Sequence, residues 1–532
     1  MELEKRVLHT AAVIGKQFSE PVLARIADVA GADLAAALAS LKRAEFVYEE
    51  ALYPVAEYAF KHPLTQEVAY RSLLGEQRAR THAAVARALE AERGAQGEAA
   101  AMIAYHWESA GEPVHAARWH DRAAAWIENR APAEAARHWR RVRELLVDGT
   151  GTPDTAELAL TACTSLLRTG SSTGLEDAEA AAIFAEGMQL ARRFPNASGE
   201  SRLVAAHGGY LVSRGAARDA LGPLEEAVRR ARESGDAGSH LGALAMLAFT
   251  HMNLGRLSTA LAAADEAVQL FDSAPGAIAL GEAARVLMLR GILLTLAGKL
   301  QPASESLQRA EQLLPPDNDL LLGLYAVGLS HLAMRRGDAR ATASHAERAL
   351  DYAGRTGSGT GAASAHWPRG RAQLLLGDFE GALHSFEQAL ATGAMLNLEG
   401  FYLAGIALAH LGLGDPLRAR RTAEHAVVVA RQRGHPISEC EAQCTLAEVL
   451  TKTEGASAAP SIETALRECE RLLAETGARY IEPVLHEERA RLAAALGDAA
   501  GRERALGEAR RLFTEMGATG HLERLDREWE RS

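Results

Sequence analysis

The stretches LGRLSTALAAADEAV (residues 254–268) and LGDFEGALHSFEQAL (residues 376–390) are two copies of one pattern. A glycine near the start of the pattern recurs every 37–43 residues, at Gly215, Gly255, Gly298, Gly337, Gly377 and Gly414. Such a period is typical of a helical solenoid in which each repeat is one helix–turn–helix unit. The glycine suits the left-handed cap that ends the first helix of each pair.

Small residues stand at fixed distances after each glycine. Five places on are Ala220, Ala260, Ala303, Thr342, Ala382 and Ala419, and twelve places on are Ala227, Ala267, Ala310, Ala349, Ala389 and Ala426. Positions seven apart lie on one face of a helix, so these small side chains allow a neighbouring helix to approach closely. The pattern predicts an all-α fold of packed helix pairs.

These residues resemble the tetratricopeptide repeat (TPR) family. Its glycine, its aromatic or aliphatic residue and its two alanines are matched at 254–268 and 376–390. The period exceeds the usual ~34 residues of that family, which slightly longer helices would explain. The resemblance implies a right-handed superhelical solenoid that binds a protein partner or a small ligand on its concave face.

The composition argues against some classes of partner and location. The net charge of -11 disfavours a general nucleic-acid binder, which needs a positive surface to release counterions. Four cysteines in 532 residues indicate a reducing compartment without a disulfide framework. There is neither a signal peptide nor an apolar run long enough to span a membrane. We therefore expect a cytoplasmic protein that binds neither nucleic acid nor membrane.

The first 75 residues predict a separate small module. Three helical patterns are followed by two short strands, at residues 4–14, 20–30, 32–43, 46–49 and 55–60, with Tyr53 and Pro54 between the strands. This order is typical of a winged-helix domain. DNA binding is one interpretation, but the third helix offers only Lys42 and Arg43 to phosphates, whereas a major-groove helix needs polar residues along its exposed face. Packing or regulation is the other interpretation.

A second resemblance lies in residues 7–18, 56–74 and 78–90. They are similar to the segment that follows the ATPase core in bacterial signal-transduction ATPases with numerous domains (STAND), and the motif is matched by Phe60, His62, Gln66, Glu67, Val68, Ala69, Tyr70, Leu73 and Leu74. Members are fused to class III adenylate/guanylate cyclases, to serine/threonine kinases or to transcriptional activators of the MalT type. The resemblance implies a TPR array acting as a sensor arm. It also implies a winged-helix module against the nucleotide-binding core, with interdomain packing by Phe60, His62, Gln66, Glu67 and Tyr70.

The phosphate-binding loop of that ATPase core is missing from this sequence. Gly15-Lys16 lacks the preceding glycine and the following Ser/Thr of G-x-x-x-x-G-K-[ST], and residues 354–361 (GRTGSGTG) contain no lysine. We therefore expect no cofactor in this chain, with ATP bound only by an ATPase domain supplied in cis or in trans. On this interpretation the chain is the C-terminal half of a larger architecture. The lack of a C-terminal helix-turn-helix disfavours the transcriptional-activator form.

Weaker repeats flank the clear ones. We predict a winged-helix-like module at 1–75, a helical bridge with atypical TPR-like repeats at 76–146, a degenerate repeat with hinge loops at 147–200, a TPR array at 201–450, and degenerate repeats with a cap at 451–532. Gly/Ser/Thr-rich runs at 147–155, 168–177 and 451–461 are interpreted as loops. One charged helix from Gly501 through Met516 to Trp529 suits a cap whose outer face meets water.

Several residue clusters have both a structural and a functional interpretation. Four tryptophans could belong to the core or form a ligand-binding cage: Trp107, Trp119, Trp126 and Trp139. The basic run RHWRRVR (137–143) could be a solvated helix face or a phosphate-binding site. Cys440 and Cys444, with His435 and Cys469 nearby, would be buried small residues or zinc ligands. His486 lacks the second histidine of a metalloprotease helix. No catalytic constellation is found, so we expect no enzyme activity in this chain.

The candidate binding residues come from aligning the first helices of the repeats, which line the concave face of a solenoid. The alignment places there Arg202, Asn253, Arg285, His331, Arg335 and Arg371. Arginines in a groove would hold a carboxylate or a phosphate by bidentate hydrogen bonds, and the alternative is that they point to solvent. We predict a non-catalytic sensor module of a signalling ATPase. The alternatives are a stand-alone TPR scaffold and the C-terminal fragment of a cyclase or kinase.

Overall fold

The computed structural model describes residues 2–29, 31–51, 55–147, 149, 151–274 and 276–529. The chain divides into two compact units. Unit 1 comprises Met1–Glu128 with Glu134–Ala162, and unit 2 comprises Asn129–Ala133 with Cys163–Ser532. The five-part division expected from the sequence stays a prediction.

Unit 1 begins with a small mixed module. Its elements are α1 (Glu2–Ile14), β1 (Gln17–Ser19), α2 (Glu20–Ala27), α3 (Gly31–Arg43), β2 (Val47–Ala51) and β3 (Glu57–Phe60). The strands form an antiparallel sheet in the order β1-β3-β2, with Gln17 opposite Ala59 and Val47 opposite Phe60. Strand β1 was missed from the sequence because three residues are too few to show an alternating pattern. The predicted turn at Tyr53 and Pro54 lies outside the described residues.

Helices make up the rest of unit 1 and continue into the repeats. In chain order they are α4 (Pro63–Arg71), α5 (Gly75–Arg93), a 3₁₀ turn (Gly97–Ala99), α6 (Ala100–Ser109), α7 (Pro113–Ile127), α8 (Pro132–Leu146) and α9 (Pro153–Thr173). Trp107 and Trp119 are buried, and each donates its indole N–H to Glu90 Oε1 at 2.5 Å. Trp139 is also buried, whereas Trp126 is exposed. Three of the four tryptophans are therefore core.

Unit 2 is a continuous series of helices joined by short turns. They are α10 (Asp177–Arg193), α11 (Ala197–Ser213), α12 (Ala217–Ser234), α13 (Ala237–Asn253), α14 (Leu257–Ser273), α15 (Leu280–Leu296), α16 (Leu300–Glu311), α17 (Asp319–Arg336), α18 (Ala339–Thr356), α19 (Gly359–Leu376), α20 (Phe379–Ala391), α21 (Glu399–Gly412), α22 (Pro416–Gln432), α23 (Pro436–Glu454), α24 (Ala459–Thr476), α25 (Glu482–Ala495), α26 (Ala499–Met516) and α27 (Thr519–Trp529). From α11 to α26 they pack as consecutive pairs. The architecture is an all-α TPR-like solenoid, and the handedness of its superhelix stays a prediction.

The small residues of the repeat lie where the helices touch. All twelve at the two fixed positions are buried, with at most 2% of their surface exposed. Close helix contact at these positions leaves no room for larger side chains. The pattern predicted from the sequence is confirmed on this point.

The predicted loop at 168–177 is largely helical, and the predicted loop at 147–155 is helical at its end. Residues 168–173 complete α9, and residues 153–155 begin it. The hydroxyls of Thr169, Ser172 and Thr173 bond to carbonyls three or four residues back, which satisfies them within the helix. A side chain at Gly170 would meet Leu175 and Tyr210 within 3.1 Å, so this glycine permits packing rather than a turn. Within the predicted loop 168–177 the non-helical part is residues 174–176, and the hinge stays a prediction.

The C-terminal region differs from the prediction in the same way. Residues 451–461 form the end of α23, a 3₁₀ turn (Gly455–Ala458) and the start of α24, rather than a loop. The single charged helix expected from Gly501 to Trp529 is two helices, because Gly517 ends α26 in the left-handed conformation with φ +74°. The helix pairs therefore continue to α25–α26, beyond the six clear repeats.

Distant repeats of unit 2 contact each other directly. His521 Nε2 donates to Met334 O at 3.0 Å, and Asn397 Nδ2 donates to Asn253 Oδ1 at 2.7 Å. The turn at Gly337, between α17 and α18, lies against the backbone of Gly520 and His521 at the start of α27. Repeats far apart in the sequence thus close on one another, which encloses the inner face.

This contact gives a matched pair of glycine substitutions. Gly337 (φ +80°) and Gly377 (φ +79°) occupy the same left-handed turn position, but a Cβ at Gly337 would lie 2.3 Å from His521 N, whereas one at Gly377 meets nothing within 4 Å. Alanine costs roughly 1–2 kcal/mol at either site for the backbone conformation. We expect Gly337→Ala to lower the free energy of unfolding by about 1–3 kcal/mol more than Gly377→Ala does, because α27 must move. Chemical unfolding measures both values. Equal losses in the two variants would contradict the packing of α27 on this turn.

Candidate functional site

A cavity of about 350 Å³ lies on the inner face of unit 2. Its walls come from the first helices of successive pairs, α13, α15, α17, α19, α21 and α23, with further residues from α9, α18 and the 3₁₀ turn Leu396–Leu398. The volume is within the range of small-molecule sites, which is roughly 300–1,000 Å³. The architecture therefore forms a pocket to which many repeats contribute.

Aromatic rings form one wall of this cavity. His331 on α17, Trp367 on α19, Phe401 on α21 and His435 at the N-cap of α23 touch in series, with ring centroids 5.1, 5.1 and 5.4 Å apart. Four successive repeats contribute one ring each to this series. Of these, the sequence had indicated only His331 as a binding residue. Trp367 could have been identified as a candidate because it is the single tryptophan between residues 201 and 450.

The remaining lining is mostly apolar with a few polar groups. Phe249, Met252, Ile292, Leu296, Leu324, Val327, Tyr352 and Met395 supply the apolar part, and Arg285, Asp319, Ser358, Thr360, Ser364 and Asn397 the polar part. Within the described chain, Trp367 Nε1 and Asn397 Oδ1 are buried without a hydrogen-bond partner. Since buried polar atoms are nearly always paired, these two mark where a ligand donor and acceptor, or ordered water, would bind.

The two histidines of the ring series are neutral. Burial, with a smaller contribution from the Arg335 charge, lowers the pKa of His331 to about 3. Burial also lowers the pKa of His435 to about 4, while its Nδ1 accepts a hydrogen bond from Ser438 N at 3.1 Å. At neutral pH the cavity wall therefore carries no histidine charge.

These histidines predict a loss of stability in acid. Their folded pKa values lie below the ordinary 6.5, so the unfolded chain takes up protons first, and stability present above pH 6.5 is lost as the pH falls toward 4. We compare His331→Phe, which cannot be protonated, with the wild type in urea unfolding. From about pH 7 to about pH 5 the wild type should lose up to about 2 kcal/mol more than the variant. Equal losses would show that His331 is protonated in the folded protein.

The six predicted binding residues fall into separate places. Arg285 and His331 line the cavity. Asn253 is buried beside it and accepts from Asn397, while Arg202 on α11 donates to Ser239 Oγ at 3.3 Å. Arg335 and Arg371 lie together in a second, smaller pocket. The six residues therefore do not form one arginine-lined groove. The cavity that Arg285 and His331 line is mainly apolar.

The motif residues shared with STAND proteins divide into buried and exposed ones. Phe60 is buried, Gln66 Nε2 donates to Ala12 O at 3.0 Å, and Tyr70 OH lies 3.0 Å from His82 Nε2. His62 and Glu67 are exposed. Three of the five thus contribute to packing inside unit 1, and interdomain packing by this set stays a prediction.

The other polar candidates have structural partners. Arg141 of the basic run donates to Glu108 at 2.6 Å. The thiols of Cys440, Cys444 and Cys469 are free and buried together, with Cys469 Sγ 3.4 Å from Cys440 Sγ and 2.8 Å from Cys444 Sγ. Over the described ranges, no group of three or more histidine, cysteine or carboxylate side chains has an arrangement suited to a metal ion. No helix within those ranges is both long and apolar enough to cross a membrane.

Comparisons with known proteins bear on the fold. No family model matches the chain, and no curated protein matches it. The Cut9–Hcn1 heterotetramer of APC/C is similar with a TM-score of 0.53 and 14% identity, over 87% of this chain and 85% of that one. At this identity the likeness concerns the fold alone.

Two further solved structures are less similar. A STAND protein with a tetratricopeptide repeat sensor from Pyrococcus horikoshii has a TM-score of 0.35 and 13% identity, over 99% of this chain and 65% of that one. A Rap protein complexed with competence and sporulation factor has a TM-score of 0.46 and 14% identity, over 63% of this chain and 99% of that one.

Proposed function

We propose that this chain is a non-catalytic sensor that binds an apolar small molecule, or an apolar segment of a protein partner, in the inner cavity of unit 2. The observation that carries the proposal is the wall of rings from four successive repeats, with Trp367 Nε1 and Asn397 Oδ1 unpartnered among the described residues. A ligand there buries apolar surface and pairs both polar atoms. Arg285 and His331 stay in the proposed site.

Binding at this position would act on the arrangement of the repeats. The cavity draws on six inner helices, so a ligand contacts residues from Phe249 to Ile437 at once. A ligand shifts a conformational equilibrium only as far as it prefers one arrangement over the other. Contacts to many repeats supply that preference, because a small rotation between neighbouring repeats changes all of them together.

The test fills the cavity and measures binding of an apolar probe. The neutral fluorophore N-phenyl-1-naphthylamine is titrated into the full chain, and Ser364 on the cavity wall is replaced by tryptophan. We expect saturable binding to the wild type, and a loss of about tenfold or more in Ser364→Trp because the indole occupies the space. Ser364→Ala is the matched control, since it keeps the cavity. Equal affinity of all three proteins would overturn the proposal.

We further propose that the chain works within a STAND-type signalling protein. Support comes from the motif residues and from the order α1-β1-α2-α3-β2-β3, which suits a winged-helix-like module. Helix α4 also leaves Leu64 and Val68 exposed by 72% and 68%, beside the exposed His62 and Glu67. An apolar pair on the motif helix suits docking to an ATPase or effector domain, in cis or in trans.

The intact mass of the protein from its source cells, with the DNA upstream of Met1, tests this context. A mass well above that of 532 residues, with an upstream P-loop, is the expected result, and the fused effector would identify a cyclase or a kinase. A mass equal to that of this chain would support the stand-alone scaffold instead, provided that the wild type captures no P-loop partner. A P-loop partner that the wild type captures and Leu64→Asp does not would support an ATPase domain supplied in trans.

A further inference from the structure

Arg335 and Arg371 lie side by side in a second pocket of about 90 Å³, which shares no lining residue with the larger cavity. Only 9% of the Arg335 side chain is exposed, and its guanidinium carbon lies 3.6 Å from the ring centroid of Tyr480. Arg335 Nε and Nη2 are buried and have no hydrogen-bond partner within the described part of the chain. A buried guanidinium with unpaired N–H groups is costly unless an acceptor binds it.

Glu441 lies within 4 Å of both arginines but forms no close hydrogen bond with either. Glu441 Oε2 accepts a hydrogen bond from Tyr480 OH at 2.8 Å but lies 3.9 Å from Arg335 Nη2. Glu441 Oε1 lies 3.5 Å from Arg371 Nη1 and has no hydrogen-bond partner among the described residues. A charge-assisted N–H···O bond measures about 2.7–2.9 Å. Both arginines are thus within ion-pair distance of Glu441, but the gap is wider than a direct hydrogen bond requires.

The charges around the pocket leave an excess of one positive charge. Arg335 and Arg371 face Glu441 alone, because the other lining carboxylate, Glu448, accepts from Lys452 Nζ at 2.6 Å. His521 adds no charge, since burial lowers its pKa to about 3 and its Nε2 donates to Met334 O. An anion would neutralise this excess, whereas water would only solvate it.

We propose that this pocket binds a small oxyanion, a carboxylate or a phosphate group, held between Arg335 and Arg371. A planar guanidinium presents paired N–H groups that match two oxygens of such a group. The anion displaces no existing hydrogen bond of Arg335 Nε or Nη2. Glu441, held by Tyr480, opposes it and keeps binding weak enough to be reversible.

Such a site joins parts of unit 2 that are distant in the sequence. Arg335 and Arg371 lie on α17 and α19, whereas Glu441, Tyr480 and His521 belong to α23, the 3₁₀ turn Arg479–Ile481 and α27. An anion held by Arg335 and Arg371 bridges α17 and α19 beside the contact at which α27 meets Met334. Binding therefore stabilises the packing of these two helices on each other.

The experiment uses the full chain with sodium acetate and sodium phosphate as probes, at constant ionic strength in chloride. Binding is followed by calorimetry and by the thermal unfolding midpoint. We expect Arg371→Gln to weaken binding by about tenfold, since it removes one charge-assisted donor pair. Glu441→Gln should tighten it, because the competing carboxylate becomes neutral. Arg309→Gln, which affects only an exposed pair with Asp272, is the matched control and should bind as the wild type does.

Each outcome decides the proposal. Binding of acetate alone assigns the site to carboxylates, and binding of phosphate alone assigns it to phosphoryl groups. The proposal is wrong if neither anion acts beyond chloride, or if Arg371→Gln and Glu441→Gln bind as the wild type does. Arg371 is 25% exposed, so its substitution tests the site even where Arg335→Gln fails to fold. The Ser364→Trp result is independent, because that residue lines only the larger cavity.

Discussion

Phe386→Ala is expected to destabilise unit 2 by about 3–5 kcal/mol, the range for truncating a buried aromatic ring. Phe386 lies on α20 with none of its surface exposed. Its ring fills a socket between Gly370 on α19 and Gly405 on α21, where an added Cβ would lie 2.7 and 2.4 Å from ring atoms. Alanine leaves a void that two glycine-containing helices cannot fill, and it uncouples two consecutive repeats.

Equilibrium unfolding in urea, followed by circular dichroism, measures this loss. Leu417→Ala is the control, since that leucine is 77% exposed on α22 and its truncation should change stability by less than ~0.5 kcal/mol. The socket adds a second check. Gly405→Ala should destabilise the wild type, whereas combined with Phe386→Leu it should cost less than the sum of the single changes. A Phe386→Ala loss below ~1 kcal/mol would contradict the packing described.

Arg491→Met should have an effect of similar size, about 3–5 kcal/mol, because it leaves buried carboxylates without their counter-ion. Arg491 on α25 is 11% exposed and forms ion pairs with Glu487, Glu488 and Glu528. Glu487 and Glu488 are 2% and 1% exposed. Arg524 still pairs with Glu487 in the variant, so the uncompensated charge falls mainly on Glu488 once that carboxyl is ionised.

The deficit of Arg491→Met should depend on pH. Burial raises the pKa of Glu488 to about 8, above its ordinary value of 4.5. Between these values the folded state holds a proton that the unfolded chain has released, so stability falls as the pH rises toward 8. The variant should thus be closest to the wild type near pH 5 and furthest from it above pH 8. Arg511→Met, which removes an exposed pair with Glu508, should show little change at any pH. A pH-independent deficit would contradict a protonated Glu488.

The pattern of glycine and alanine was sufficient to predict the repeats. Helix pairs with small residues at their contacts need a regular spacing, and that spacing is visible in one sequence without any partner. Hydrophobic periodicity likewise predicted α1, α3, β2 and β3, with bounds within a few residues of those in the structure. It failed at residues 168–173, because Ser, Thr and Gly also suit a helix when hydroxyls bond backward along it and a glycine admits Tyr210.

The contacts between distant repeats of unit 2 could not be predicted from the sequence. Arg285 and His331, two of the predicted binding residues, lie on the cavity wall, but the cavity itself depends on how repeats far apart meet. Trp367, Phe401 and Asn397 looked like ordinary repeat residues until their neighbours were known. The Arg335–Glu441 arrangement joins residues about a hundred positions apart, and no local period encodes that proximity.

The sequence by itself therefore determined the class of fold and the helix contacts, since each depends on spacing within one or two helices. Only the tertiary structure decided which inner residues share a cavity, which charges are buried and where repeats close on each other. Those features arise from the summed rotation of many repeats, to which each turn and contact adds a small amount. A charged run such as that around Glu488 and Arg491 is read as a solvated surface until the helix packed against it is known.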